Sequence, residues 1–282
     1  MTEQKQGDLT GKVALVSGAG RGIGQAIALV MAEAGASIAL VARSPEQLAL
    51  TARLIEEKGG RALVFPADVM EQTAVQQMVQ QVEQQLGPVD ILVNNAGRHH
   101  AVGPLWELDP ADWWLDIESN LRSTFLCSHA LLPGMVQRRS GCIINVSSGA
   151  GNEPRPYSSA YSTAKAAVTR LTECLAISTK EYNVTVFAIH PGAVRTELAD
   201  YLLQSEAGQR WLPEFPNIYA EQEVAPELAG HLAVYLASGK AAGLSGHFLT
   251  VKDDLDMLVK QTHVIQQQKL FVLRLHKDGV WE

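Results

Sequence analysis

The chain has 282 residues, 46% of them hydrophobic and 19% charged, with a formal net charge of −7. These values fit one large α/β domain or two small ones with a substantial buried core. Lysines and arginines are scattered, which excludes the basic stripe of a nucleic-acid surface, and no apolar run approaches the ~20 residues of a membrane span.

Met1 to Asp8 is polar and lacks the apolar core of a signal peptide. Val13 to Val16 reads as a short β-rich run, and Ile23, Ile27, Val30, Met31 and Ala34 then recur at helical spacing until Gly35 stops them. Ile38 to Val41 is the second strand, followed by a helix ending near Gly59 and Gly60. Leu63 to Phe65 is the third strand. Val75, Met78, Val79, Val82 and Leu86 form one apolar helical stripe that Gly87 ends, and Ile91 to Val93 is the fourth strand. Asp109-Pro110 is a cap and first turn for a long helix, expected to bend or end near Pro133-Gly134. Cys142 to Val146 is the fifth strand, Ser159 to about Tyr182 a long helix, and Val184 to Ile189 the sixth strand. Val224 to Ala237 is helical and leads to a last sheet strand near His247 to Val251. Beyond it, Leu255 to Val264 reads as a helix and Leu270 to Leu275 as a strand. Short apolar strands, each followed by a helix, predict a doubly wound parallel sheet covered on both faces. The fold expected is therefore α/β, a Rossmann-type single domain over 1–252 with an extension of the same domain over 253–282. Cys127, Cys142 and Cys174 have neither metal-ligand spacing nor an even count, so reduced thiols in a cytoplasmic protein are expected.

Ser17-Gly18-Ala19-Gly20-Arg21-Gly22-Ile23-Gly24 lies between the first strand and the first helix, where backbone amides and the positive helix end can meet a pyrophosphate. The generic pattern G-x-G-x-x-G does not fit, because its last position falls on Ile23 or Gln25. The pattern G-x-x-x-G-x-G does fit, through Gly18, Gly22 and Gly24. Tyr161 and Lys165 are four apart and share a helix face. A free tyrosine has a pKa near ~10, and a nearby ammonium favours the phenolate and lowers that value toward useful acid–base catalysis.

Together with Asn94-Asn95-Ala96-Gly97, Asn120, Ser147-Ser148 and Pro191-Gly192-Ala193-Val194-Arg195-Thr196, these motifs resemble the short-chain dehydrogenase/reductase family in order and spacing, over roughly Leu9 to Val251. The resemblance implies hydride transfer between a nicotinamide cofactor and a ketone or secondary alcohol. It implies Tyr161 as the acid/base, Lys165 also holding the nicotinamide ribose, and Asn120 holding a water of the proton relay. Ser148 lies thirteen residues before Tyr161 and is followed by Gly151 at the family's x-x-Gly position. It is therefore chosen to hydrogen-bond the substrate carbonyl, while Ser147 points to the opposite face. The cofactor-binding set that follows is Gly18, Gly20, Arg21, Gly22, Ile23, Gly24, Arg43, Asp68, Val69, Asn94, Ala96, Gly97, Asn120, Tyr161, Lys165, Pro191, Gly192, Val194 and Thr196. Asp68 matches the acid that contacts adenine. The second strand ends Val41-Ala42-Arg43-Ser44 without the acid of NAD-specific members. Arg43 and Arg21 there offer guanidinium groups to a 2′-phosphate, which favours NADP(H) over NAD(H).

The apolar segment 197–223 falls where the family carries its substrate lid and hints at a hydrophobic or ring-shaped substrate; core packing explains it equally well. Tyr157 is a candidate lid or substrate contact. His99-His100 could approach the substrate, but an exposed loop is the better expectation, and adjacent histidines cannot readily converge on one metal. His190 is read as structural. Trp113 and Trp114 pack their helix against neighbours or a partner, and a homodimer or homotetramer is implied. A non-catalytic cofactor-binding sensor or scaffold is the alternative.

Overall fold

The computed structural model describes residues 7–274. Among them seven strands form one all-parallel sheet in the order β3-β2-β1-β4-β5-β6-β7. The strands are β1 (Val13–Ser17), β2 (Ser37–Ala42), β3 (Arg61–Pro66), β4 (Ile91–Asn94), β5 (Gly141–Val146), β6 (Val184–His190) and β7 (Phe248–Thr250). All five β1 side chains and all four of β4 are buried, as strands covered on both faces require. Two apolar clusters result, one containing Ile27, Met31, Leu40 and Phe187, the other containing Leu15, Val41, Met135 and Ile143.

The flanking helices are α1 (Gly22–Glu33), α2 (Pro45–Glu57), α3 (Gln72–Leu86), α4 (Pro110–Ile117), α5 (Ser123–Arg138), α6 (Ser159–Thr179), α7 (Glu197–Gln204), α8 (Glu206–Trp211), α9 (Phe215–Gln222), α10 (Glu227–Ala237), α11 (Leu255–Lys260) and α12 (Thr262–Gln268). Local signals start several of them. Ser44 accepts from the Gln47 N–H ahead of Pro45, and Asp109 accepts from the Ala111 N–H at 2.7 Å ahead of Pro110. No helix among the described residues is long and apolar enough to cross a membrane.

Three sequence expectations fail. Helix α5 does not end at Pro133 but runs on to Arg138, where Arg139 takes a left-handed φ of 53°. A mid-helix proline costs about 3 kcal/mol, and burial of Leu131 and Met135 on either side of it offsets that. The long helix from Pro110 is also interrupted, because Glu118–Arg122 is a π turn. Lastly, the described part of the expected strand Leu270 to Leu275 is a turn. Lys269 and Phe271 both have left-handed φ, which breaks an extended run. Leu275 and Trp281 lie outside the described residues.

The strand order reverses between β1 and β4, and the crevice outside the strand ends at such a point is where an open parallel sheet receives its ligand.

Candidate active site

The catalytic and cofactor-binding residues singled out from the sequence lie past the carboxyl ends of the strands or on elements bordering them. The glycine loop leaves β1 with left-handed φ at Gly18 and Gly22, and it delivers Ile23 and Gly24 into the first turn of α1. A Cβ on Gly24 would run into the Gly18 carbonyl oxygen, so the loop closes only with glycine there. Gly20 packs on Gln47, and Gly22 lies beside Thr196. The α1 N-terminus thus faces the segment after β6, where Thr196 caps α7 by accepting the Ala199 N–H at 3.2 Å. Pro191 and Val194 are buried there, and Gly192 takes a φ of 80° against Val224.

Two motif residues that the cofactor-binding set left out, Ser17 and Asn95, lock this loop. Ser17 Oγ accepts the N–H groups of Asn95 and Ala96 at 3.0 and 3.1 Å, and Asn95 Nδ2 donates to the carbonyls of Ser17 and Gly18. The Asn94 side chain is committed to the interior. It donates to Ser128 Oγ and Asn145 Oδ1, which leaves its backbone as what it can offer a cofactor. Arg43 is exposed at the end of β2, and Asp68 and Val69 follow the neighbouring β3. Arg21 is turned to Glu197 at the start of α7, where the two form an ion pair.

The π turn is the local reason Asn120 points inward. The extra residue in the turn rotates the side chain into the protein, where it is 1% exposed. Its Nδ2 donates to the Arg98 and Asp116 carbonyls at 2.6 and 2.8 Å, and its Oδ1 is buried without a partner among the described residues. Gly97 lies against that oxygen.

Ser148 ends the run after β5, where its Oγ accepts the Ala150 N–H at 3.3 Å and its hydroxyl favours the Tyr161 phenolate. Ser147 faces the other way, as expected from strand alternation, and its hydroxyl lies 3.2 Å from the Lys165 carbonyl and 2.9 Å from Thr169 Oγ1. The turn Gly149–Gly151 packs directly on α6, where a Cβ on Gly151 would lie 2.7 Å from the Lys165 carbonyl carbon. This is the physical content of a glycine three residues after the serine. Lys165 is buried, its Nζ donates to the Val146 carbonyl at 2.8 Å, and it lies 5.5 Å from the centre of the Tyr161 ring.

The electrostatics differ from the sequence expectation. Burial pushes the Tyr161 phenol up to about 12, against the pull of the Ser148 hydroxyl, and Asp116 adds to the rise. Burial likewise lowers the Lys165 ammonium to about 8. Desolvation of both groups outweighs the lowering expected from their proximity.

The histidine pair departs furthest from expectation. His99 is not in an exposed loop: it is buried, its ring stacks on Tyr161 with centroids 4.1 Å apart and planes within 6°, and its Nε2 shares a 3.0 Å hydrogen bond with Ser158 Oγ. Burial, helped by His100 and Lys165, lowers it to about 3. His100 is exposed and stacks on Tyr201 of α7 at 4.1 Å, and the Tyr201 hydroxyl donates to the His100 carbonyl. Asp116, fully buried, accepts the N–H groups of His100 and Ala101 at 2.9 and 2.8 Å. Segment 197–223 forms α7, α8 and α9. Trp211 of α8 lies 5.0 Å from the ring of Tyr157, which has a left-handed φ of 62° just before α6. His190, at the end of β6, is largely buried, and its Nδ1 lacks a partner among the described residues.

Residues 12–207 match the family model described as short chain dehydrogenase. A short chain dehydrogenase of Pseudocercospora fijiensis is 42% identical over 199 residues, which is 70% of this chain but 64% of that protein's length. Among solved structures, a gluconate 5-dehydrogenase from Burkholderia cenocepacia, in complex with NADP and tartrate, is 33% identical with a TM-score of 0.77, covering 88% of this chain and 96% of its own. An NAD+-bound xylitol dehydrogenase is 29% identical with a TM-score of 0.79, covering 86% of this chain and 98% of its own.

Proposed function

The chain belongs to the short-chain dehydrogenase family, and from that premise we propose that it interconverts a ketone and a secondary alcohol with NADP(H), Tyr161 acting as acid and base. The observation that carries this reading is the meeting of Ser148, Tyr161 and Lys165 beside the glycine loop, around a phenol that burial keeps protonated at neutral pH.

The residues fit a dinucleotide, since the glycine loop opens on the amides and positive end of α1. Gly18 to Gly24 would hold the pyrophosphate, Asp68 and Val69 the adenine, Asn94 to Gly97 and Lys165 the nicotinamide ribose, and Pro191 to Thr196 the carboxamide end. Bound there, the nicotinamide group supplies or accepts the hydride. In reduction, Ser148 Oγ donates a hydrogen bond to the substrate carbonyl oxygen, and Tyr161 gives that oxygen its proton. Lys165 and the Ser148 hydroxyl stabilise the phenolate left behind, and Asn120 carries the water that reprotonates it. In oxidation, the phenolate takes the hydroxyl proton instead.

The two solved neighbours hold different nicotinamides, so the preference for NADP(H) rests on this chain's own residues. Arg43 is exposed and has no acidic partner among the described residues, whereas Arg21 is paired with Glu197. Arg43 therefore supports the reading more than Arg21. A homodimer or homotetramer is supported by exposed apolar side chains on three helices, Trp114 of α4, Phe125 of α5 and Ile177 of α6. A cytoplasmic location is supported by the unpaired cysteines, of which Cys127 and Cys142 are buried with thiols pushed up to about 12.

The test is incubation of the purified protein with NADPH and a panel of cyclic and acyclic ketones. Net NADPH consumption is expected, Tyr161→Phe should remove nearly all of it while NADPH binding stays measurable, and Ser148→Ala should also cripple turnover. Ser147→Ala should be much milder. Binding without turnover by the parent protein would make it a sensor, and an active Tyr161→Phe would overturn the mechanism.

A further inference from the structure

We propose that His99 is a positioning residue for Tyr161, fixing the plane of its ring and so the plane in which its O–H bond lies. The inference rests on Tyr161 being the proton donor. Three buried groups, His99, Ser158 and Asp116, make this arrangement. The imidazole lies flat on the phenol ring, with centroids 4.1 Å apart and planes within 6°. The hydroxyl of Ser158 holds the far edge of the imidazole at 3.0 Å. Ser158 occupies the residue just before α6, where a serine oxygen ordinarily caps the helix, yet it makes no capping bond and its hydroxyl is turned to His99. Asp116, from α4, fixes the backbone that carries the imidazole by accepting the next two N–H groups in the chain.

An apolar side chain would fill the same space without a buried serine, carboxylate and imidazole to satisfy, and buried polar groups are costly unless fully paired. What a planar ring adds is orientation. Tyr161 sits near the start of α6, and its ring can turn about its last side-chain torsion, which is broad and soft for tyrosine. A parallel face on one side, with the Lys165 ammonium 5.5 Å from the ring centre, restricts that torsion. The charged and titratable groups around the phenol are Lys165 and Asp116, with the Ser148 hydroxyl beside them. His99 itself is uncharged at neutral pH, since burial lowers it to about 3, so it acts through its shape and its tether. Misalignment of a reacting group is costly because proton transfer needs hydrogen-bond reach and direction.

The full chain is compared with His99→Phe, His99→Leu, Ser158→Ala and Tyr161→Phe, using NADPH and whichever ketone of the panel the parent reduces fastest. His99→Leu keeps apolar bulk but loses the flat face, and it should lower kcat roughly tenfold while the affinity for NADPH stays within about twofold. His99→Phe restores the face and should recover most of that loss. Ser158→Ala, which frees the imidazole edge, should fall between. In protein with ¹³C-labelled tyrosine rings, the Tyr161 signals are identified by their absence in Tyr161→Phe. They should average by ring flipping at lower temperature in His99→Leu than in the parent. Parent-like kcat and ring flipping in His99→Leu would overturn the proposal, as would equal loss in the Phe and Leu variants together with lowered melting temperatures. An active Tyr161→Phe would instead overturn the assignment of the proton donor, which keeps the two failures apart.

Discussion

Arg43 stands at the end of β2 with nothing acidic beside it among the described residues, and Arg21 has turned across the cleft to Glu197. Replacing Arg43 by alanine should therefore weaken NADPH far more than NADH, because only NADPH carries the 2′-phosphate. A hydrogen bond to a charged group is worth about 1.5–3 kcal/mol, or roughly tenfold and more in affinity. Titration of both nucleotides by fluorescence checks this, and a parent protein that binds NADH more tightly would refute it. Lys165 gives a pH prediction. Its folded-state value is lowered to about 8 by burial, so its positive charge is present below about pH 8 and is lost as pH rises through that value. The Tyr161 phenol, pushed up to about 12, stays protonated across the same range. Reductive kcat should thus hold near neutrality and fall above about pH 8, with the proton donor intact but the phenolate it leaves behind no longer stabilised. A flat profile to pH 10 would show that the ammonium does not assist.

At the scale of elements, the site is made by turns that follow strands, and their tolerances are set by backbone contacts. Gly24 is the sharpest case, because a Cβ there would run into both the Gly18 carbonyl oxygen and the Asn95 side chain. A methyl group cannot be absorbed by a flexible neighbour there, so Gly24→Ala should cost about 1–3 kcal/mol of stability and abolish tight nucleotide binding. Melting curves with and without NADPH measure both effects, and an unchanged shift on adding NADPH would show that the loop tolerates the methyl. The π turn at Glu118–Arg122 is a second device of this scale. Nothing in the spacing of Trp113, Leu115, Ile117 and Leu121 marks a wider turn, since the helical periodicity continues through it. Asn120 was legible as a candidate from its place among the motifs, whereas its burial and inward direction came only from the backbone geometry.

For the molecule as a whole, the last described residues, up to Arg274, fold onto the sheet. The Phe248 N–H of the edge strand β7 donates to the Phe271 carbonyl at 2.9 Å, which blunts an edge that would otherwise invite pairing. Glu173, buried on α6, accepts the Leu273 N–H at 2.6 Å and pairs with Arg274, while Arg170 holds the Leu273 carbonyl. The tail is thus tied to the helix that carries Tyr161 and Lys165. Deleting Leu270 to Glu282 removes several of these bonds at about 1 kcal/mol each and should lower the melting temperature by roughly 5 °C or more. Light scattering on the truncated protein reads the oligomeric state at the same time. Unchanged mass, melting temperature and kinetics would show that the tail is dispensable.

Local signals in the sequence determined the strands, most helices and the site's inventory. A parallel strand buried on both faces must be apolar throughout, a helix start needs its cap, and a loop against a phosphate needs its glycines. Those demands act over a few residues and leave their mark in order along the chain. Ser148, Tyr161 and Lys165 were legible for that reason. The tertiary structure alone decided what surrounds them. His99 and Tyr161 lie 62 residues apart in sequence, Asp116 comes from α4, and Ser158 from the residue just before α6. An adjacent pair of histidines has no periodicity that tells a buried ring from an exposed one, so only the packing of α4, α6 and the turn after β4 puts His99 inside and His100 outside. The charge states follow the same division. Spacing put an ammonium near a phenol, but the desolvation that raises one and lowers the other is set by how much protein covers them, and no local stretch of sequence encodes that.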